Sequence, residues 1–550
     1  MKSKVFLFTV LFLAGTLYGQ TPQCPFQRGF NLAGWLQSDS AKQIRNSYTR
    51  TDLENMISLG ADHVRVPINL YGMAGDGPAY TVDPILLLYL DRAVDWAEEL
   101  GLYIILDNHS LAPALAYDPE RTERLTAVWR QMAEHFKDRS ALVLYEILNE
   151  PYGIDDADWG EMQRQAIEAI RAVDPVHTLI VSPGGVGSYD HLAQLPEYED
   201  PNLIYTFHFY DPFLFTHQGS NWTDPSLEEV SNIPYPYDVT RMPSMPAYFA
   251  GTWLEDQWNW YDDAGKKESL QYRMSTPVQF RDDRQVPIYC GEFGALQGES
   301  SHEDQIQWYT DIGDILGADN IAWTLWGYQG GFGIFEEGSG GAFPSDLDTS
   351  IVEALDFNMP GPVEIAPDTS GMVLYDDLVG EWILDVSYSG SLDYYDTENP
   401  YDGIHCIHWT GADRYGVIGW RFSRARDFSQ LKDEGYRIRF WLKTDTPGLR
   451  FDMRFLDTDL GDGRDHPWRM TKTIDNTVVS MDGSWHEVEF ALNAMAESGS
   501  WHNNAWYNPQ GRFDWTRIDA LEIVAEHHDL HGKQVYLDDV QILKPDVQGR

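Results

Sequence analysis

Between residues 26 and 357, short apolar runs rich in β-branched and aromatic residues alternate with longer stretches whose apolar positions recur at helical spacing. Eight runs read as strands: 29–33, 63–67, 103–107, 143–149, 178–182, 204–209, 287–291 and 321–326. The clearest helix is predicted over 83–100. There Ile85, Leu86, Tyr89, Leu90, Ala93, Val94 and Ala97 fall at i, i+3, i+4 and i+7, and Gly101 supplies a stop. Further helices are predicted over 123–137, 157–173 and 303–316. Eight β/α repeats in this span imply a (β/α)8 barrel. The longest gap, 210–286, is rich in Tyr, Trp and Pro and reads as a long loop on the barrel's active-site face.

After residue 357 the texture changes. Pro360, Gly361, Pro362 and Pro367 mark a linker. Beyond it the period becomes two. In 436–442, Tyr436, Ile438, Phe440 and Leu442 face one way, and Arg437, Arg439 and Trp441 the other. Similar strands are predicted over 449–455, 518–524 and 535–542. The expected second domain is an all-β sandwich of jelly-roll type.

The N-terminus reads as a signal peptide. Lys2 and Lys4 precede an apolar run over 5–17, and Gly19 stands at a plausible cleavage point. That run is too short for a confident membrane span. The expected organisation is therefore a signal peptide (1–19), a barrel (24–358), a linker (359–371) and a sandwich (372–545), in a protein exported to the periplasm or the medium.

The net charge of −47 argues against nucleic acid, anionic membranes and acidic polysaccharides as partners, and points to a neutral polymer. Aromatic residues make up 13 %, more than a core alone requires, and flat rings stack well on sugar faces. Cys24, Cys290 and Cys406 are too far apart in sequence for a disulfide framework. A monomer is expected.

Two glutamates end predicted strands. Glu150 follows strand four in Ile147-Leu148-Asn149-Glu150-Pro151, and Glu292 ends strand seven in Cys290-Gly291-Glu292-Phe293. Either alone is weak. Together at the mouth of one barrel they match what glycoside hydrolysis needs: one carboxyl to protonate the leaving oxygen and one to attack the anomeric carbon. The proton donor needs a raised pKa, from desolvation and nearby negative charge.

Over residues 26–358 the chain resembles glycoside hydrolase family 5. The resemblance is carried by Arg65 at the end of strand two, His109 after strand three, Asn149-Glu150 after strand four, His208-Phe209-Tyr210 after strand six, Glu292 at the end of strand seven and Trp326 at the end of strand eight. The stretches around Asp211, Phe215 and Phe332 resemble the cellulase-like branch. One departure is Ser110, where many relatives carry a second histidine. The resemblance implies Glu292 as nucleophile and Glu150 as acid/base. It implies that Arg65 and Tyr210 hold Glu292 ionised and that His208 tunes Glu150. It implies sugar contacts from Asn149 and His109, and a floor formed by Trp326. Trp35 is a candidate platform at a more distant subsite, set against plain core packing.

The C-terminal segment resembles β-sandwich carbohydrate-binding modules, nearest to family 11. The carriers are Trp485-His486-Glu487-Val488 and Val535-Tyr536-Leu537-Asp538-Asp539-Val540. This implies a structural calcium, with Asp539 as candidate ligand, whereas catalysis needs no cofactor. The acidic group Asp457, Asp459, Asp462 and Asp465 reads as a surface loop. Arg439, Trp441, Asp452 and Arg454 point away from the apolar face and are candidates to line a glycan groove. The expected function is a secreted, retaining endo-β-1,4-glycanase acting on cellulose-like or mixed-linkage β-glucan. The alternatives are a mannanase or xyloglucanase on the same barrel, or a non-catalytic glycan-binding protein.

Overall fold

The computed structural model describes residues 21–110, 119–458 and 465–544. The signal-peptide segment, Asp459 and Asp462 lie outside the described residues. Eight parallel strands close into a barrel in the order β1 to β8. They are β1 (Arg28–Asn31), β2 (His63–Ile68), β3 (Tyr103–Asn108), β4 (Val143–Glu146), β5 (Thr178–Val181), β6 (Leu203–Phe209), β7 (Ile288–Phe293) and β8 (Ala322–Leu325). Each expected strand is present. Phe26, Ile105, Leu144, Ile180, Ile204 and Tyr289 fill the lower end of the barrel as a separate apolar cluster, so this end is packed rather than open.

Helices α1 (Arg50–Leu59), α2 (Pro84–Leu100), α3 (Pro119–Phe136) and α4 (Asp156–Arg171) coat the first half of the barrel. Asp83 caps α2 by accepting from Ile85 N, and Gly101 closes the helix in the left-handed region at φ 74°. The 210–286 gap is not a loop throughout. It ends in an 18-residue helix, Lys267–Arg284, which carries Pro277 and has little apolar periodicity. That composition hid it from pattern reading.

The C-terminal domain is a sandwich of two seven-stranded sheets. Its strands are β9 (Met372–Asp376), β10 (Leu378–Val379), β11 (Ile383–Asp385), β12 (Ser391–Asp396), β13 (Cys406–Thr410), β14 (Val417–Arg426) and β15 (Arg437–Lys443). They continue as β16 (Phe451–Asp457), β17 (Arg469–Ile474), β18 (Trp485–Ala491), β19 (Ala496–His502), β20 (Ala505–Tyr507), β21 (Ile518–Val524) and β22 (Gln534–Leu543). One sheet runs β10-β9-β22-β13-β12, with β15 and β18 added beside β22. The other runs β11-β14-β21-β16-β17-β19-β20. Ile438, Phe440 and Leu442 from the first sheet and Met453 and Phe455 from the second are buried between them.

This topology corrects the expected glycan groove. Arg439 and Trp441 lie on β15, whereas Asp452 and Arg454 lie on β16 in the other sheet. Outward residues of two stacked sheets face opposite directions, so these four cannot line one groove. Trp441 is moreover covered by Tyr401, stacked at 3.6 Å. Asp539 does not stand free as a calcium ligand. Its Oδ2 lies 3.0 Å from the Arg439 guanidinium and its Oδ1 accepts from Gln541.

The sandwich is clamped onto the α1–α2 side of the barrel. The Asn46 amide donates to the carbonyls of Val379, Gly380 and Ile383. The hydroxyls of Tyr89 and Tyr395 meet at 2.8 Å, and Trp96 donates to Glu381 at 2.9 Å. Arg45 pairs with Asp385 at 3.2 Å. The linker is anchored at its end, where Asp368 accepts from Arg426 at 3.0 Å.

Candidate active site

The strand register sets the upper layer of the barrel. Asn31 is level with Arg65, Asp107 with Glu146, and His208 with Glu292. These polar residues interrupt otherwise apolar strands, so their side chains meet at the C-terminal mouth, where a (β/α)8 barrel carries its chemistry.

Arg65 is the hub and is fully buried. It reaches Glu292 Oε1 at 2.8 Å and grips Glu146 through two bonds of 2.8 Å. It also lies 3.0 Å from Asp107 and donates to the side-chain oxygens of Asn31 and Asn149. One cation therefore faces three carboxyl groups. Burial raises Asp107 to about 7 and raises Glu146 as well, against the pull of Arg65. Glu292 is held from its other side by the Tyr210 hydroxyl, which donates to Oε2 at 3.0 Å.

Glu150 sits across from Glu292 and is the more open of the two, with side-chain exposures of 28 % and 5 %. His208 Nδ1 lies 2.7 Å from Glu150 and 3.6 Å from Glu292. One carboxylate oxygen from each glutamate and a His208 nitrogen all fall within 4.8 Å of one another. Desolvation raises Glu150 to about 7, opposed by His109 and Arg65 and assisted by Glu146. Burial lowers His208 to about 4, so its ring is neutral near pH 7. The tautomer protonated at Nδ1 donates to one Glu150 oxygen and leaves the other to carry an acidic proton.

His109 Nδ1 bonds Asp107 at 2.7 Å, and its ring lies parallel to Trp326 at 5.3 Å. Asn149 approaches His109 Nε2 at 3.4 Å. Thus Arg65, His109, Asn149, Glu150, His208, Tyr210, Glu292 and Trp326 converge in one site. Trp35 does not. It is 1 % exposed and stacks on Trp96 at 6.1 Å, so it packs the core beneath the sandwich and has no open face for a sugar. Ser110 also turns inward, accepting from Tyr71 N at 2.8 Å and donating to Asn108.

Sequence reading missed Asp107 and Glu146 as members of the site. A charged residue inside an apolar strand was the available signal for Glu146, four residues before Glu150. It also missed an aromatic wall beside Tyr210, built from His217, Phe332 and the exposed Trp222. Among the described residues, the Glu150–His208–Glu292 group is the one set whose ligand atoms converge closely enough to hold an ion. Asp539 is not part of any such set.

The cellulase family model, glycosyl hydrolase family 5, matches residues 22–331. The chain belongs to this family. It is a glycoside hydrolase of the cellulase type. Endoglucanase C of Acetivibrio thermocellus is 27 % identical over 321 residues, covering 55 % of this chain and 91 % of that protein. Endoglucanase 3 of Fibrobacter succinogenes is 29 % identical over 334 residues, covering 56 % of this chain and 50 % of that one. The endoglucanase Cel5A structure from Thermotoga maritima superposes with a TM-score of 0.50 at 24 % identity, over 60 % of this chain and 96 % of that one, a likeness of fold. The sandwich lies beyond the family match.

Proposed function

We propose that this cellulase-family barrel is a secreted, retaining endo-β-1,4-glucanase acting on a neutral β-glucan. The observation that carries the reading is the convergence of Glu150, His208 and Glu292 within 4.8 Å, with Arg65 and Tyr210 both on Glu292. Retention requires carboxyl groups about 5–5.5 Å apart, too close for a water between them and the sugar, and this spacing supports it.

Glu292 accepts hydrogen bonds from Arg65 and Tyr210, one on each carboxylate oxygen, which fix it in place as the nucleophile. Its carboxylate attacks the anomeric carbon while Glu150 gives its proton to the departing oxygen. The glycosyl-enzyme ester then yields to water, deprotonated by Glu150, and Glu292 leaves as the carboxylate. Asn149, fixed by Arg65, is aimed at the sugar 2-hydroxyl, and His109 and Trp326 form the wall beneath the same sugar. The sandwich is read as a carbohydrate-binding module that keeps the barrel on its polymer.

The test is reducing-end release from barley β-glucan, carboxymethylcellulose, glucomannan, galactomannan and xyloglucan, with NMR of the first-formed anomer. Release from the glucans with the β anomer appearing first is expected, and Glu292→Ala abolishes it. First appearance of the α anomer, or activity surviving in Glu292→Ala, would overturn the mechanism. Preference for galactomannan or xyloglucan would overturn the substrate.

A further inference from the structure

Apart from the catalytic mouth, a cleft of about 1260 Å³ lies between the barrel and the sandwich. Its barrel wall is the chain after β8, from Tyr328 to Ser345, together with the segment that follows β1 near Arg45. Its sandwich wall is the end of β11 and the outward side of β14, including Val386, Arg421 and Arg424. The loops after β1 and β8 flank Trp326. Gly330, which lines the cleft, is four residues from Trp326 and so no more than about 14 Å of chain away.

Two features make this space a track rather than a gap between loosely joined domains. First, the walls are fixed. The Asn46, Tyr89, Trp96 and Arg45 bonds tie the sandwich to the barrel around the cleft. Second, the cleft opens onto a surface of matching chemistry. Arg421 is exposed on the outward side of β14, between the buried Trp420 and Phe422. Strand register aligns it in one row with Ala520, Leu456 and Arg469. That row spans three inter-strand steps, about 14 Å. It ends where the Arg469 guanidinium lies 5.7 Å over Trp506, itself 49 % exposed.

Resting on the glucanase reading above, we propose that this interdomain cleft is a second glucan-binding region. It continues the catalytic cleft on the Trp326 side and hands the chain to the outer face of the β14 sheet. Its ligand is a neutral β-glucan chain longer than the barrel alone can hold. Asn55, Gln329, Arg421 and Arg424 offer donors, and Glu336 and Glu337 offer acceptors, which suits a polymer bearing hydroxyls on both edges. Asp52, Asp385 and Asp519 line the same cleft and disfavour an anionic polymer. The half-exposed Trp506 ring at the far end supplies a stacking face.

The test uses the full chain carrying Glu292→Ala, titrated calorimetrically with cellotriose, cellohexaose and longer soluble mixed-linkage oligosaccharides. Affinity is expected to go on rising with length beyond the hexaose. Adding Arg421→Ala, or Val386→Trp to occlude the cleft, is expected to weaken the long ligands about ten-fold and leave cellotriose unchanged. If affinity levels off at the length of the barrel cleft, or if both variants keep the wild-type rise, the inference is overturned while the glucanase reading stands. If no glucan binds at any length, both fall. Equal loss for cellotriose and the long ligands also overturns it, because the substitutions then act through the barrel.

Discussion

Arg65 grips Glu146 through two parallel bonds of 2.8 Å, with neither side chain exposed to solvent. The pair lies behind the reacting groups, because the same guanidinium also holds Glu292. Removing Glu146 leaves the buried guanidinium with Glu292 and Asp107 but without two charge-assisted bonds, each worth about 1.5–3 kcal/mol. Glu146→Ala is therefore expected to lower the melting temperature sharply. Glu146→Gln keeps the shape and deletes a negative charge that raises the Glu150 pKa. It should retain most of the fold and move the alkaline limb of kcat/KM to lower pH. An unmoved limb would show that Glu146 does not act on Glu150.

The proton on Glu150 sets that limb. Its carboxyl is raised to about 7, chiefly by desolvation. Hydrolysis needs the protonated form, so kcat/KM should fall as pH rises through about 7. Substrates with good leaving groups need little protonation. In Glu150→Ala they should keep their glycosylation step, while unactivated glucan loses about 10²–10⁴-fold. Comparing pH profiles on an aryl cellobioside and on β-glucan checks both points.

Asp107 gives a stability signature. Burial raises it from 3.8 to about 7 in the folded protein. A carboxyl raised on folding stabilises fully below its unfolded value, and that contribution is lost as pH rises through the folded one. The wild type should thus lose stability between about pH 4 and 7 from this group. Asp107→Asn keeps a side-chain oxygen for His109 and should flatten that part of the denaturation curve. An unchanged slope in urea titrations across this range would refute the assignment.

Tyr210→Phe removes one hydroxyl, 3.0 Å from Glu292, and little else. A bond to a charged group contributes about 1.5–3 kcal/mol, so kcat/KM should fall roughly ten- to a hundred-fold with the melting temperature nearly unchanged. A fall confined to KM would mean that Tyr210 binds sugar and does not orient the carboxylate.

The barrel was legible because its signal is local. Apolar strands, helical spacing and polar residues at strand ends all survive in one dimension, and the two glutamates directly follow predicted strands four and seven. Arg65 and Tyr210 were placed through the family resemblance. Glu146 and Asp107 were not, because their roles exist only through a shared guanidinium that the register brings level. Trp35 failed for a related reason. Position after β1 suggested the cleft, but the rings of Tyr48, Tyr89 and Trp96 enclose Trp35 and make it core. Period-two alternation identified outward residues on β15 and β16, yet it carries no information on which sheet a strand joins. The four candidate groove residues were therefore divided between opposite faces.

The domain contact supplies the last prediction. Asn46 leaves the barrel and donates to three sandwich carbonyls, Val379 at 3.3 Å, Gly380 at 3.1 Å and Ile383 at 3.0 Å. All three bonds are buried, so truncation leaves carbonyls without partners at a cost of about 1–3 kcal/mol. The neighbouring Tyr89–Tyr395 bond is equally buried. With these contacts intact the two domains share one cooperative unit, and calorimetry of the wild type should give a single transition. Asn46→Ala combined with Tyr89→Phe should uncouple them and split the trace in two, with the barrel still active on cellotriose derivatives. A wild type that already melts in two steps would mean the contact is too weak to couple the domains. The fixed track between them would then lose its physical basis, since a cleft whose walls move apart cannot hold a chain in register with the catalytic pair.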